Sequence, residues 1–203
     1  DQAWGATYTG DLPWAETSGN LQIVSNKLEV DTAATSGEGR AEVDTVTADQ
    51  YAQAIVDALG GGVVNVSFDI CCRFSSAART NYNNRIRNNL GTVTVTLQKR
   101  VAGVITVLAG PIQGIYAVGD LRKVTVQGST LSGYRGATLE QSVTDTAVVG
   151  FTRAGLQLTA TVPADTIVND FEFGDLAAVV FRRTLARYGT RAAQRQAHAW
   201  GAL

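Results

Sequence analysis

The chain has one histidine (His198), two cysteines, three prolines and no methionine, and each shortage removes a class of function. A single histidine near the carboxyl end cannot complete a zinc ligand set. Nor does it offer a base beside a serine or cysteine nucleophile, and no Gly-x-Ser-x-Gly elbow is present. The cysteines, Cys71 and Cys72, are adjacent in a strand-like run. Neighbouring strand residues point to opposite faces, so a ring closed between them would be strained. They read as free thiols, one of them buried, which excludes a disulfide-built secreted scaffold. Charge is scarce too: charged residues make up 17% of the chain and the net charge is −1. That balance gives no overall pull towards nucleic acid or an anionic membrane, so no nucleic-acid partner is expected. No apolar run approaches 18 residues and no signal peptide opens the chain, so membrane insertion is not expected either. Without a methionine even at position 1, the polypeptide reads as processed or as a segment of a longer one.

What the chain does have is strand periodicity. In TVTVTLQKR (92–100), Val93, Val95 and Leu97 alternate with Thr92, Thr94, Thr96 and Gln98. That is the period-2 pattern of a strand with one buried and one wet face. VITVLAG follows a turn at Ala102-Gly103, and the run continues through GDLRKVTVQGSTLSGYRGATLEQSVTDT. Gly103, Gly128, Gly133 and Gly136 are placed at the breaks, where a positive φ or tight reversal is needed. The clearest core strand is 63–74: Val64, Val66, Phe68, Ile70, Cys72 and Phe74 on one face, Asn65, Ser67, Asp69 and Arg73 on the other.

Further strands are read at LQIV (21–24) and KLEV (27–30), joined by Ser25-Asn26, then at RAEVDTVT, YNNRIRNN, GLQLTATV and TIVNDFEFGDL. YAQAIVDAL (51–59) admits a helix or a strand before the Gly60-Gly61-Gly62 stop, with strand favoured. In the last strand Phe171 and Phe173 are expected to anchor the core. Many short strands separated by turn residues predict an all-β, two-sheet antiparallel sandwich over residues 1–175. From Ala177 the alternation stops. Residues 176–203 form a separate helical or extended arm, rich in Ala, Arg and Gln. The arm carries five arginines and no acid, leaving the first 175 residues with 12 basic and 18 acidic side chains, a net −6.

Several segments in order resemble the concanavalin A-like (laminin-G-like) jelly-roll modules of bacterial extracellular proteins and bacteriophage virion proteins. They are Trp14…Gly19…Ile23…Lys27-Leu28, Arg73-Phe74…Asn81-Tyr82…Arg85-Ile86 and Leu97-Gln98-Lys99…Gly103. Gly119-Asp120-Leu121-Arg122…Val126…Gly128-Ser129 and Asn169-Asp170-Phe171-Glu172 complete the set, which spans residues 4–176. The resemblance implies two packed sheets of six or seven strands, with the concave face or edge loops available for binding. It also implies calcium as the one cofactor to test, held by Asp11, Asn169 and Asp170 if first and last strands pair.

Catalytic carboxylates are not evident. No Glu-x-Asp-x-x-Glu triplet occurs, and Asp170 with Glu172, two apart on one strand, is the only pair expected to share a face; it reads as a solvated outer face. Glycan binding would use aromatics in polar surroundings, and Tyr82, Tyr116 and Tyr134 qualify. In the arm, Arg183, Arg187, Arg191 and Arg195 recur every four residues and, with Phe181, Tyr188 and Trp200, suit docking onto a protein partner. The sequence therefore predicts a non-enzymatic structural or interaction module of a bacteriophage virion, as a tail, fibre-like or capsid-surface protein. Its partners would be other virion proteins or copies of itself, with a cell-surface polysaccharide as a further ligand. The alternative is a secreted, extracellular bacterial lectin-like carbohydrate-binding module.

Overall fold

A computed structural model describes residues 15–18, 21–24, 27–30, 37–44, 47–60, 65–75, 77–113, 117–160 and 166–176. The strands are β1 (Ala15–Ser18), β2 (Leu21–Val24), β3 (Lys27–Val30), β4 (Gly37–Asp44) and β5 (Gln50–Leu59). Next come β6 (Val66–Ser75), β7 (Thr80–Asn89), β8 (Thr92–Val101), β9 (Val104–Gln113) and β10 (Asp120–Gln127). β11 (Thr130–Arg135), β12 (Thr138–Thr144), β13 (Arg153–Ala160) and β14 (Thr166–Asp175) follow. They form two antiparallel seven-stranded sheets: the first in the order β1-β4-β13-β6-β7-β8-β9, the second β12-β11-β10-β5-β14-β3-β2. The described residues include no helix long and apolar enough to cross a membrane. The sandwich foreseen from the alternation is the architecture observed, and Gln50–Leu59 is a strand, the central one of the second sheet.

The core lies between the sheets. Phe68, Ile70, Ile86, Val95, Leu97, Leu156 and Leu158 of the first sheet meet Ala52, Ala54, Val56, Val124, Val126, Leu131, Val168 and Phe171 of the second. These are the even or odd members of alternating runs, so one face of each strand is removed from water. Val64, the Ser25-Asn26 turn and residues 177–203 lie outside the described residues. Of the expected arm only Leu176 is described; its N–H donates to the Asp49 carbonyl at 2.8 Å.

Two local readings are corrected, and one strand departs from strict alternation. Both cysteines are buried, not one. Cys71 faces away from the core, yet it lies at the middle of a sheet whose outward side is itself covered. Gly133 is not at a break: it sits inside β11, and a Cβ there would lie 3.0 Å from both Leu97 Cδ2 and Asn84 Nδ2. Packing between the sheets, rather than a turn, is what demands glycine there. In β14 a bulge interrupts the pairing with β5: Asn169 pairs with Ile55 and Glu172 with Gln53, three positions against two. Asp170 takes up the extra residue at φ +46°. The alternation is thereby reset: Val168 and Phe171, on either side of the extra residue, both face the core, and Phe171 and Phe173 stack with ring centroids 5.8 Å apart.

Candidate functional site

The outward side of the first sheet is built mainly by the polar halves of β13, β6, β7 and β8, with Ile105 and Val107 of β9 exposed at its edge. Pairing aligns Cys71, Asn83, Gln98 and Val107 in one row across β6, β7, β8 and β9. Gln157, Asp69, Arg85 and Thr96 form the next row, and Asn81, Arg100 and Ile105 a third. Residues paired in this way share a face, so TNYNNRIRNN delivers Asn81, Asn83, Arg85 and Arg87 to the outside and Tyr82 and Ile86 to the core.

This face is polar but not open. Arg85 lies 3.5 Å from the Asp69 carboxylate through Nε and donates through Nη2 to Ser67 Oγ at 3.0 Å. Arg100 Nη1 donates to Gln157 Oε1 at 3.1 Å. Gln157 is on β13, three strands from β8, a span of about 14 Å at the usual strand spacing. The two side chains therefore lie along the sheet and roof the row beneath them. Below that level three side-chain carbonyl oxygens, Asn81 Oδ1, Asn83 Oδ1 and Gln98 Oε1, are buried with no hydrogen-bond donor among the described residues. Their residues are 1%, 5% and 6% exposed. A buried acceptor left without a donor costs about 1–3 kcal/mol, so three on adjacent strands are a standing expense that a hydroxyl-bearing ligand would offset.

The residues singled out by sequence are distributed differently. Tyr82 is corrected: it belongs to the hydrophobic core between the sheets and so cannot stack on a sugar. It points inward, its hydroxyl donating to Asp145 Oδ1 at 2.6 Å and accepting from Val148 N–H at 3.1 Å. Its polar sequence neighbours, Asn81 and Asn83, belong to the opposite face. Tyr134 is half-buried on the outer side of the second sheet, paired with Lys123 and Leu139. Tyr116 and Asp11 lie outside the described residues, as do Arg183, Arg187, Arg191, Arg195, Phe181, Tyr188 and Trp200. Asp170 is exposed on the bulge, and Asn169 Oδ1 accepts from its N–H at 2.8 Å. Among the described residues no group of three or more His, Cys, Asp or Glu could hold a metal ion. The bulge also separates Asp170 from Glu172 in register; the Glu172 carboxylate is taken by Tyr51 Oη at 2.8 Å and Gln53 Nε2 at 2.9 Å. Sequence reasoning missed Asn81, Asn83 and Gln98, although strict alternation around Ile86 and Leu97 already put them on one face.

Loops at one end of the sandwich are pinned by buried polar groups. Asp145 accepts from Lys99 Nζ at 2.6 Å as well as from Tyr82. Burial and the Asp145 hydrogen bond push the Tyr82 phenol up to about 12. Burial works to raise the Asp145 carboxyl, but Lys99, Tyr82 and the Ala147 N–H outweigh it and hold it below the ordinary value. Asp120 is likewise held low: burial is outweighed by the Ala117 N–H, Arg135 and Arg122. A carboxyl depressed in the folded state adds stability above its unfolded pKa, about 3.9, and that contribution disappears as pH falls through the folded value. The melting temperature should thus hold steady down to about pH 4 and then drop. Asp145→Asn should flatten that drop, a difference that thermal scans from pH 6 to strongly acid would reveal. Cys72, by contrast, is pushed up by burial beyond any thiolate role at neutral pH.

No family model and no curated protein matches this sequence. Solved structures do match. The carbohydrate-binding module CBM66 from Bacillus subtilis superposes with a TM-score of 0.55 at 13% identity, over 80% of this chain and 92% of that one. The exoplasmic/lumenal domain of VIP36 in its Ca2+/Man2-bound form gives 0.57 at 10% identity, over 88% of each chain. The fold is the concanavalin A-like jelly roll. The metal-free form of the VIP36 domain matches equally, with a TM-score of 0.57 at 10% identity over 92% and 95% of the two chains. At such identities the likeness is one of backbone: the jelly roll supplies the two sheets, and the side chains on their outer faces are this chain's own.

Proposed function

We propose that this jelly roll is a non-catalytic carbohydrate-binding module whose ligand takes the place of the Arg100–Gln157 bridge and lies across β6, β7 and β8 on the outward side of the first sheet. The observation that carries the reading is the set of buried, donorless oxygens of Asn81, Asn83 and Gln98. Sugar hydroxyls are donors spaced to meet such a row, while Arg85 and Asp69 beside it supply charged hydrogen-bonding groups. The structural neighbours, a carbohydrate-binding module and a domain described with bound mannose sugars, support the same class of ligand. A binding rather than hydrolytic role accords with the division of Asp170 from Glu172 by the bulge and with the inert Cys72. On the sequence expectation the carrier is a bacteriophage virion protein; a secreted bacterial lectin-like protein accounts for the fold equally well. Copurification of the native chain with virions or with culture medium separates the two.

Asn83→Ala and Gln98→Ala should each weaken binding to the preferred glycan about tenfold or more, the worth of one or two neutral hydrogen bonds. Asn83→Ala should leave the melting temperature nearly unchanged, because its Oδ1 has no donor among the described residues, whereas Gln98→Ala also gives up the 2.9 Å bond from Gln98 Nε2 to Thr96 Oγ1 and should lower it slightly. Glycan-array screening followed by titration calorimetry and thermal unfolding reads both quantities. Unchanged affinity in folded variants would remove the site, and silence across a broad panel would remove the function.

A further inference from the structure

The second sheet carries an unrelated cluster on its own outward side. Lys123 (β10) is paired with Gln53 (β5) and Tyr134 (β11), and Thr125, two residues on, is paired with Tyr51. The Lys123 ammonium lies 4.9 Å from the Tyr51 ring centroid and 5.9 Å from that of Tyr134, between the two faces. Each ring is placed by the fold. Tyr51 Oη is tied to Glu172, and the ring lies over Gly174 so closely that a Cβ there would stand 2.8 Å from Tyr51 Cε1.

The chain has three lysines. Lys27 pairs with Asp57 at 2.8 Å and Lys99 with Asp145 at 2.6 Å. Lys123 has no carboxylate or hydrogen-bond acceptor among the described residues, although the body of the molecule is acidic overall. The nearby carboxylate, Glu172, has both oxygens engaged by Tyr51 and Gln53. A half-buried ammonium framed by aromatic rings and left without an anion is chemically matched to a carboxylate on a ring-shaped ligand, whose C–H face can lie against the tyrosines.

We propose that Lys123, Tyr51 and Tyr134 form a second subsite, specific for the carboxylate of an acidic sugar such as a hexuronic acid. The inference rests on the module being carbohydrate-binding but uses the opposite face of the sandwich. It is tested with tri-galacturonic acid and its carboxyl-reduced, neutral counterpart, titrated into the full chain. The wild type should bind the acid at least tenfold more tightly, and moderate salt should weaken that binding. Lys123→Met, which keeps the contact with both rings, should abolish the preference, whereas Lys123→Arg should retain most of it. A uronate preference that survives Lys123→Met, or no preference in the wild type, overturns the subsite. The two sites fail separately: loss of uronate selectivity with neutral-glycan binding intact condemns only Lys123, and the reverse condemns only the amide row of the first sheet.

Discussion

Arg73→Lys should destabilise the jelly roll by about 3–5 kcal/mol, although it preserves the charge. Arg73 follows Cys72 at a bulge in β6, with φ +49°, and is 4% exposed. Its guanidinium donates to the carbonyls of Ala48 at 2.9 Å, Val148 at 2.9 Å and Gly128 at 2.7 Å, with the Asp49 carboxylate 3.5 Å away. Its own N–H donates to Gln50 Oε1 at 2.9 Å. One side chain therefore ties together three chain segments that meet at one end of the sandwich. A planar fork reaches three acceptors at once, and an ammonium on a shorter stem does not. The carbonyls it leaves behind are partly buried, at about 1–3 kcal/mol each. Urea titration should show a lower midpoint at constant slope. A loss below about 1 kcal/mol would mean that water takes over those carbonyls and that Arg73 is no clamp.

Phe68→Ala should cost a similar amount, about 3–5 kcal/mol, by another route. Phe68 is 0% exposed at the middle of β6. It is paired with Leu158 on one side and Ile86 on the other, and it faces the second sheet. Truncation leaves a void that backbone pairing on both sides prevents from collapsing. Phe68→Leu should recover most of the loss, since it restores most of the volume. Against a typical total of 5–15 kcal/mol, either severe variant removes a large part of the margin. A denaturant titration showing under 1 kcal/mol for the alanine variant would place Phe68 outside the core.

How far the sequence could be read depended on whether a property is local. Alternation is local: each strand's buried and polar halves follow from the residue period, so Val66, Phe68 and Ile70, or Val95 and Leu97, could be placed inside without knowing their partners. The bulge at Asp170 and the positive φ of Arg73 are set by how two strands must bend against each other; Asn169-Asp170 only permits a positive φ, and nothing in CRF announces one. Gly133 was read as a turn residue because glycine has two uses, and only the opposite sheet shows that it makes room for Leu97.

The candidate sites show the same division. Tyr82 was chosen for its polar neighbours, but in a strand those neighbours belong to the other side of the sheet. Asn83 and Gln98 are fifteen residues apart in the chain and adjacent in register, and Tyr51, Lys123 and Tyr134 come from three strands. By itself, then, the sequence determined an antiparallel two-sheet sandwich and the inward or outward direction of most strand residues, because these depend on chain geometry and hydrophobic burial over a few residues. The tertiary structure alone decided which outward side chains meet and which of them are left without partners, because strand order and register join residues that the chain keeps far apart.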